Sequence, residues 1–333
     1  MMPIKIKIVD WWNNDFYNNY FIQFLSKRYT IIQSDTPDFL LCSVFGNQHL
    51  QFDCIKIFFT GEAITPDFNF YDYALGFDHL KFGDRYLRFP LFFIKQYQKA
   101  LKLAQNKHLF QDTKKLLQRG FCSFVVSNAN ADSIREEFFH LLSEIDFVAS
   151  GGRYKNNIGE PISDKLKFLQ SYKFNIAFEN SSYHGYCTEK LIEALGAQTV
   201  PIYWGDPMLK EGGGDTIINP KSFINIQNFR TPNQAVSFIK EVHRNDDLYL
   251  HILKEKAFLT ENLIEHYENK LEKFFENIFS QNYKDAKRAV LTQRQKSLFH
   301  THKSYIPPPH FKIFKKNKTN YFSSILKIGN PNL

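Results

Sequence analysis

The stretch from Lys173 to Pro207 constrains the fold of this 333-residue chain more than any other. Phe174, Ile176 and Phe178 alternate with Asn175 and Ala177, the pattern of a half-buried strand. The polar run Glu179-Asn180-Ser181-Ser182 breaks it. Thr188 then stands where it can cap a helix whose apolar side is Leu191, Ile192 and Leu195, with Gly196 closing it. Thr199 to Trp204 is a second strand and ends in Gly205-Asp206-Pro207. This is one βαβ unit with its polar residues gathered at strand end and helix start. In open α/β sheets ligands sit at that edge, and a helix N-terminus offers free N–H groups to an anion.

The rest of the chain repeats the theme. Ile4, Ile6 and Ile8 alternate with Lys5 and Lys7, while Phe39–Phe45 and Ile55–Thr60 are continuous apolar runs suited to a parallel sheet covered on both faces. Asn14–Lys27 and Ile94–Gln118 read as helical, and a first domain spans 1–116. Phe121–Ser127 opens a second domain, 117–280, with a helix from Asp132 or Ser133 to about Ile145 and long helical periodicity over Asn233–Ile278. Such a length suits one large or two medium domains.

Composition excludes several classes. No apolar run approaches the roughly eighteen residues of a membrane span. The opening MMPIKIKIVDWW has no apolar signal-type region, so the expectation is a cytoplasmic protein. Cys42, Cys54, Cys122 and Cys187 lie in separate segments without metal-type spacing and read as reduced thiols. The net charge is +8, yet residues 281–333 hold eleven Lys and Arg against the single acid Asp285, which leaves −2 for the remainder. A near-neutral body with a basic tail is not a surface built for nucleic acid. The tail has two readings of equal weight. One is a solvated, disordered end. The other is a peripheral anchor on an anionic membrane, with Phe311, Ile313, Phe314, Tyr321 and Phe322 supplying apolar contact.

Three charged residues stand where chemistry would need them. Glu62 follows the strand Ile55–Thr60 and a glycine, at the carboxyl end of the first sheet; a surface turn carboxylate is the plain alternative. Arg135 and Lys190 each fall in the first turn of a helix, where the dipole prefers acids. Two such cations on two βα junctions of one domain point to a shared anion. The plain alternative for Arg135 is a solvated pair with Glu136 or Glu137. Asn180 doubles as an Asx-turn former, Tyr186 as a boundary aromatic and Glu189 as a helix-start acid. No Asp-x-Asp metal motif stands in a position to serve.

Phe178-Glu179-Asn180, Gly185-Tyr186, Thr188-Glu189-Lys190 and Val200–Gly205 together resemble the donor-binding signature of the bacterial α-1,3/1,4-fucosyltransferases, glycosyltransferase family 10. The block Phe58–Asp78 with Asp84–Pro90 behind it is similar to the same family. The resemblance covers most of Ile55–Phe229. It implies a GT-B fold, two Rossmann-like domains facing a cleft, and an inverting transfer of L-fucose from GDP-fucose to a GlcNAc hydroxyl of an N-acetyllactosamine-like acceptor. It implies Glu62 as general base, Arg135 and Lys190 on the donor diphosphate, and Asn180, Tyr186 and Glu189 on nucleotide or sugar. It also implies metal-independent chemistry with no cofactor beyond the donor substrate, and a product resembling a Lewis-type epitope on lipopolysaccharide. His184 and Cys187 depart from the usual residues inside the motif. The rivals are a GT-B transferase of another nucleotide sugar, and a glycan- or anionic-surface binder without turnover.

Overall fold

In the computed structural model, residues 3–106, 112–210 and 217–290 are described. The Gly212-Gly213-Gly214 loop and the tail beyond residue 290 lie outside them. The first sheet has six strands: β1 (Ile4–Val9), β2 (Ile31–Gln33), β3 (Phe39–Cys42), β4 (Ile55–Phe59), β5 (Tyr73–Gly76) and β6 (Tyr86–Arg88). Their order is β2-β1-β3-β4-β5-β6, and every pairing is parallel. The second sheet has β7 (Gly120–Phe124), β8 (Val148–Ser150), β9 (Tyr172–Phe178), β10 (Val200–Trp204) and β11 (Ile224–Asn225), ordered β11-β10-β9-β7-β8 and again all parallel.

Both sheets therefore reverse the direction in which strands are added after their first two strands. That leaves a switch point between β1 and β3 in one and between β7 and β9 in the other, where crossovers diverge and a crevice opens. Register fixes what meets there. Val9 is level with Cys42 and Cys42 with Phe58, so the residues after β1 and β4 emerge at one height. In the second sheet Ser123 is level with Asn175 and Phe178 with Trp204.

The helices are α1 (Tyr20–Leu25), α2 (Gln98–Gln105), α3 (Thr113–Leu117), α4 (Ile134–Ser143), α5 (Lys165–Leu169), α6 (Glu189–Gly196), α7 (Pro232–Arg244), α8 (Asp246–Lys254), α9 (Leu263–Ser280) and α10 (Tyr283–Ala286). The first is shorter than its apolar pattern suggests, because the Asn19 side chain accepts from the Phe21 and Ile22 N–H groups and starts the helix there. The Asn233–Ile278 periodicity resolves into three helices, with Asn245 capping the second. The third, α9, crosses back: Leu271, Phe274, Phe275 and Ile278 are buried in the cluster that holds Phe21, Phe39 and Phe59. An apolar helix face states that it needs a partner, not which one. Gly196 does not make the left-handed turn; Gln198 does, at φ +56°. Gly196 is helical, and a Cβ there would collide with the Ala100 carbonyl, so it sets how closely α2 and α6 pack.

Candidate active site

The carboxyl end of β9 is the centre of the site. Glu179 continues the strand, its N–H donating to the Trp204 carbonyl at 2.9 Å, and it has no exposed surface. Its Oε1 accepts from the Thr188 N–H at 2.7 Å, and its Oε2 accepts from the Thr188 hydroxyl at 2.6 Å and from Lys190 Nζ at 3.1 Å. Thr188 thus precedes α6 as expected, but its hydroxyl serves Glu179 and makes no cap bond to the helix. Lys190 Nζ also lies 3.0 Å from Thr188 Oγ1 and 3.4 Å from Glu189 Oε1. Burial alone would lower the Lys190 pKa; Glu179 and Glu189 outweigh it and hold the ammonium above its ordinary value. Burial pushes Glu179 up, with Lys190 and the two Thr188 donors opposing. At Glu189 burial is overcome by Lys190 and Lys165, and the carboxyl sits below the usual range.

Arg135 is the second residue of α4 and is 2% exposed. One Nη donates to Asn180 Oδ1 at 3.0 Å and the other to the Asn128 carbonyl. The Asp132 N–H donates to the Asn180 carbonyl at 3.0 Å, so the loop before α4 is tied to the end of β9. Glu136 is taken by Lys155 at 2.7 Å and by the Tyr154 hydroxyl at 3.0 Å, which removes the solvated Arg135–Glu136 pair. Burial lowers the Arg135 pKa, with Tyr154 and Glu179 acting against it; a guanidinium stays charged regardless. Arg135 and Lys190 therefore flank the adjacent residues Glu179 and Asn180, one from α4 and one from α6, at the β7/β9 switch point.

Glu62 stands at the carboxyl end of β4 in the first sheet. After β4, Thr60 Oγ1 accepts from the Glu62 N–H at 2.9 Å, and the Glu62 carbonyl accepts from Ile64 N–H at 2.7 Å, fixing a tight turn. The side chain opens to solvent, yet the surrounding protein raises its pKa; Lys190 pulls it down and Glu189 pushes it up. Its carboxyl is thus within electrostatic reach of the first turn of α6. Tyr186 is buried, its ring 5.1 Å from that of Phe77, and burial followed by the charge of Glu179 raises its hydroxyl pKa. Beside it Gly185 takes φ +81°, and a Cβ there would strike the Phe77 carbonyl, so the loop before α6 rests directly on the end of β5.

Sequence reasoning put Glu179 inside the donor-binding signature without giving it a role, and did not single out Asn128. A Glu closing a buried strand was visible, but nothing in its spacing says that it pairs with Lys190 eleven residues on. Among the described residues no group of three His, Cys, Asp or Glu side chains is placed to hold a metal ion.

Two all-parallel Rossmann-like domains, each with a switch point at the carboxyl ends of its strands, match the GT-B fold. Residues 6–95 match the alpha-(1,3)-fucosyltransferase FucT N-terminal domain, and residues 114–294 match the C-terminal part of glycosyltransferase family 10 (fucosyltransferase). The chain belongs to glycosyltransferase family 10. It is 37% identical over 308 residues to alpha-(1,3)-fucosyltransferase FucT of Helicobacter pylori, covering 78% of this chain and 63% of that protein. Human 4-galactosyl-N-acetylglucosaminide 3-alpha-L-fucosyltransferase 9 is 30% identical over 165 residues, 49% of this chain and 44% of the human one. The chain thus spans less than two thirds of the length of these curated relatives. Among solved structures, an alpha1,3-fucosyltransferase superposes with a TM-score of 0.72 at 33% identity, covering 84% of this chain and 91% of that one. The same enzyme with GDP-fucose gives 0.69.

Proposed function

We propose that this chain transfers L-fucose from GDP-fucose to a GlcNAc hydroxyl of N-acetyllactosamine-type glycans, with inversion at the anomeric carbon and the 3-hydroxyl as acceptor. The observation that carries the reading is that Lys190 and Arg135 are held on the adjacent residues Glu179 and Asn180, with Glu62 at the end of β4 within reach of the Lys190 charge. Glu62 takes the proton of the acceptor hydroxyl as the new bond to fucose C1 forms. The C1–O bond to the β-phosphate breaks, and the leaving GDP gains negative charge. Lys190 and Arg135 are fixed in place beforehand, so their field acts on that charge without rearrangement. Arg135 has five N–H donors and uses two of them within the protein. Asn180 is oriented by Arg135, and Tyr186 and Glu189 line the same edge for nucleotide and sugar. No resident metal or cofactor enters this scheme.

The test is Glu62→Ala with GDP-fucose and N-acetyllactosamine: transfer is abolished while GDP affinity stays nearly unchanged. Near-normal turnover by that variant removes Glu62 from the mechanism, and a panel of GDP- and UDP-sugars separates fucose from other donors. The +10 charge of residues 281–333 further supports peripheral attachment to the inner face of an anionic membrane, where Lewis-type lipopolysaccharide chains would be built. Co-sedimentation of the full chain with phosphatidylglycerol vesicles, weakened by salt, checks that attachment.

A further inference from the structure

We infer that a pocket between the loop after β1, the start of α1 and Ile94–Gln96 holds a pyranose ring of the acceptor glycan, with Trp12 as its specificity-determining floor; the inference rests on the fucosyl-transfer reading above. The pocket measures about 390 Å³ and is lined by Trp11, Trp12, Asn13, Tyr20, Lys95 and Gln96 among others. That volume is in the range of small-ligand sites, about 300–1,000 Å³.

Its walls are built rather than incidental. Asp10 ends β1 in the left-handed region at φ +58°, a conformation a non-glycine residue holds only where its surroundings enforce it. They do: its buried carboxylate accepts from the Gln48 N–H at 2.8 Å and the His49 N–H at 3.0 Å, and lies 2.7 Å from His49 Nδ1. The Phe45 N–H donates to the Asp10 carbonyl at 3.0 Å. The turn sends Trp11 inward, stacked on Phe59 with centroids 5.6 Å apart, and leaves Trp12 and Phe45 as exposed aromatics packed edge to face at 6.2 Å. An exposed indole held rigid by a strained turn offers a flat apolar face, while Asn13, Gln96 and Lys95 offer hydrogen-bonding groups around it. An apolar face rimmed by amides and an ammonium suits a sugar ring, which has C–H faces and a hydroxyl edge.

The same contacts, with Val9, Cys42 and Phe58 at one height, put the pocket and the Glu62 turn at the same end of the first sheet. Phe59, under Trp11, is three residues before Glu62. On the other wall, a Cβ on Gly61 would meet Leu91 at 2.6 Å, so the Glu62 turn lies against the segment that continues into Ile94, Lys95 and Gln96. β1 and β4 are separated by β3 alone, about 10 Å along the sheet edge. A glycan with one ring on Trp12 can present the hydroxyl of the next to Glu62.

The experiment is steady-state kinetics of Trp12→Ala and Trp12→Phe with GDP-fucose and N-acetyllactosamine, alongside donor hydrolysis without acceptor. Trp12→Ala is expected to raise the acceptor KM about tenfold or more. It should leave the GDP-fucose KM and the hydrolysis rate unchanged, and Trp12→Phe should restore most of the loss. Phe45→Ala, further from the ring, should raise the same KM more weakly. An unchanged acceptor KM in Trp12→Ala overturns the inference, and so does a parallel rise in the donor KM, which would mean the residue acts through the fold. If the wild-type chain transfers no fucose, the functional reading fails on its own. Saturable quenching of tryptophan fluorescence by N-acetyllactosamine, lost in Trp12→Ala, would still support the pocket, and its absence would end it.

Discussion

Lys190 holds its ammonium 3.1 Å from the carboxylate of Glu179, a residue with no exposed surface, at the edge where the family resemblance places a diphosphate. The cation is therefore oriented before any donor arrives. Thr188 reinforces it by binding both Glu179 oxygens through its N–H and hydroxyl. A fixed ammonium loses no side-chain freedom on binding an anion, which a solvated lysine would.

Breaking that pair from one side should be costly. Glu179→Gln leaves Lys190 buried against Glu189 alone and is expected to destabilise the fold by about 3–5 kcal/mol. The double variant Glu179→Gln/Lys190→Met removes both charges and should lose less than the sum of the two single variants. Urea unfolding of the four proteins measures the coupling; additive losses would show that the contact contributes nothing.

The acid limb of the pH–rate profile should report Glu62. A general base must be deprotonated, and partial desolvation by the surrounding protein raises this carboxyl above the ordinary glutamate value of about 4.3, so activity should rise with pH through a point above that value. The neighbours move it in opposite senses. Lys190 lowers the Glu62 pKa, so Lys190→Met should shift the limb to higher pH; Glu189 raises it, so Glu189→Gln should shift the limb to lower pH. Profiles of kcat/KM for the three proteins decide this. Shifts of the same sign in both variants would separate the limb from Glu62.

The strands and the central βαβ unit were legible because alternation and continuous apolar runs are local signals. Arg135 and Lys190 stood out because each lies in the first turn of a helix, where the dipole prefers acids, and Glu62 because it follows β4 by three residues. Partnerships made across the chain were not. Arg28 is bound by Glu272 at 2.6 Å, and α9 fills the first sheet's core from the far end of the sequence. No periodicity encodes those contacts. Glu179 failed for a related reason: a carboxylate ending a buried strand looks the same whether it faces water or an internal ammonium.

Gly185 should not tolerate a side chain. At φ +81° an L-residue is strained by about 1–3 kcal/mol, and a Cβ would press on the Phe77 carbonyl as well. Gly185→Ala is expected to lower the melting temperature and to slow transfer, because the shifted loop carries Tyr186 and leads into Lys190. An alanine variant with wild-type melting and turnover would show that the loop can move off β5 freely.

The last anchor lies at the opposite edge of the first sheet, before β5 rather than after β4. Asp72 is fully buried; its Oδ1 accepts from the Arg288 and Ala289 N–H groups, each at 2.6 Å, and its Oδ2 from the Lys56 N–H at 2.8 Å. Lys287 Nζ adds a bond of 2.7 Å to the Cys54 carbonyl. One carboxylate thus ties residues 287–289 to β4, far from the Glu62 edge. Asp72→Ala leaves the Lys56 amide buried without a partner, a loss of about 1–3 kcal/mol, and frees the other two to solvent. Amide exchange at Arg288 and Ala289 should accelerate strongly, and proteases should cut between α9 and residue 290. Asp72→Asn should fall between, since its amide keeps one acceptor oxygen but turns an NH₂ toward donors. Glu62 and Lys190 lie at the other edge, so donor affinity should be nearly unaffected. Unchanged exchange at Arg288 in Asp72→Ala would mean that α10, not Asp72, holds this segment.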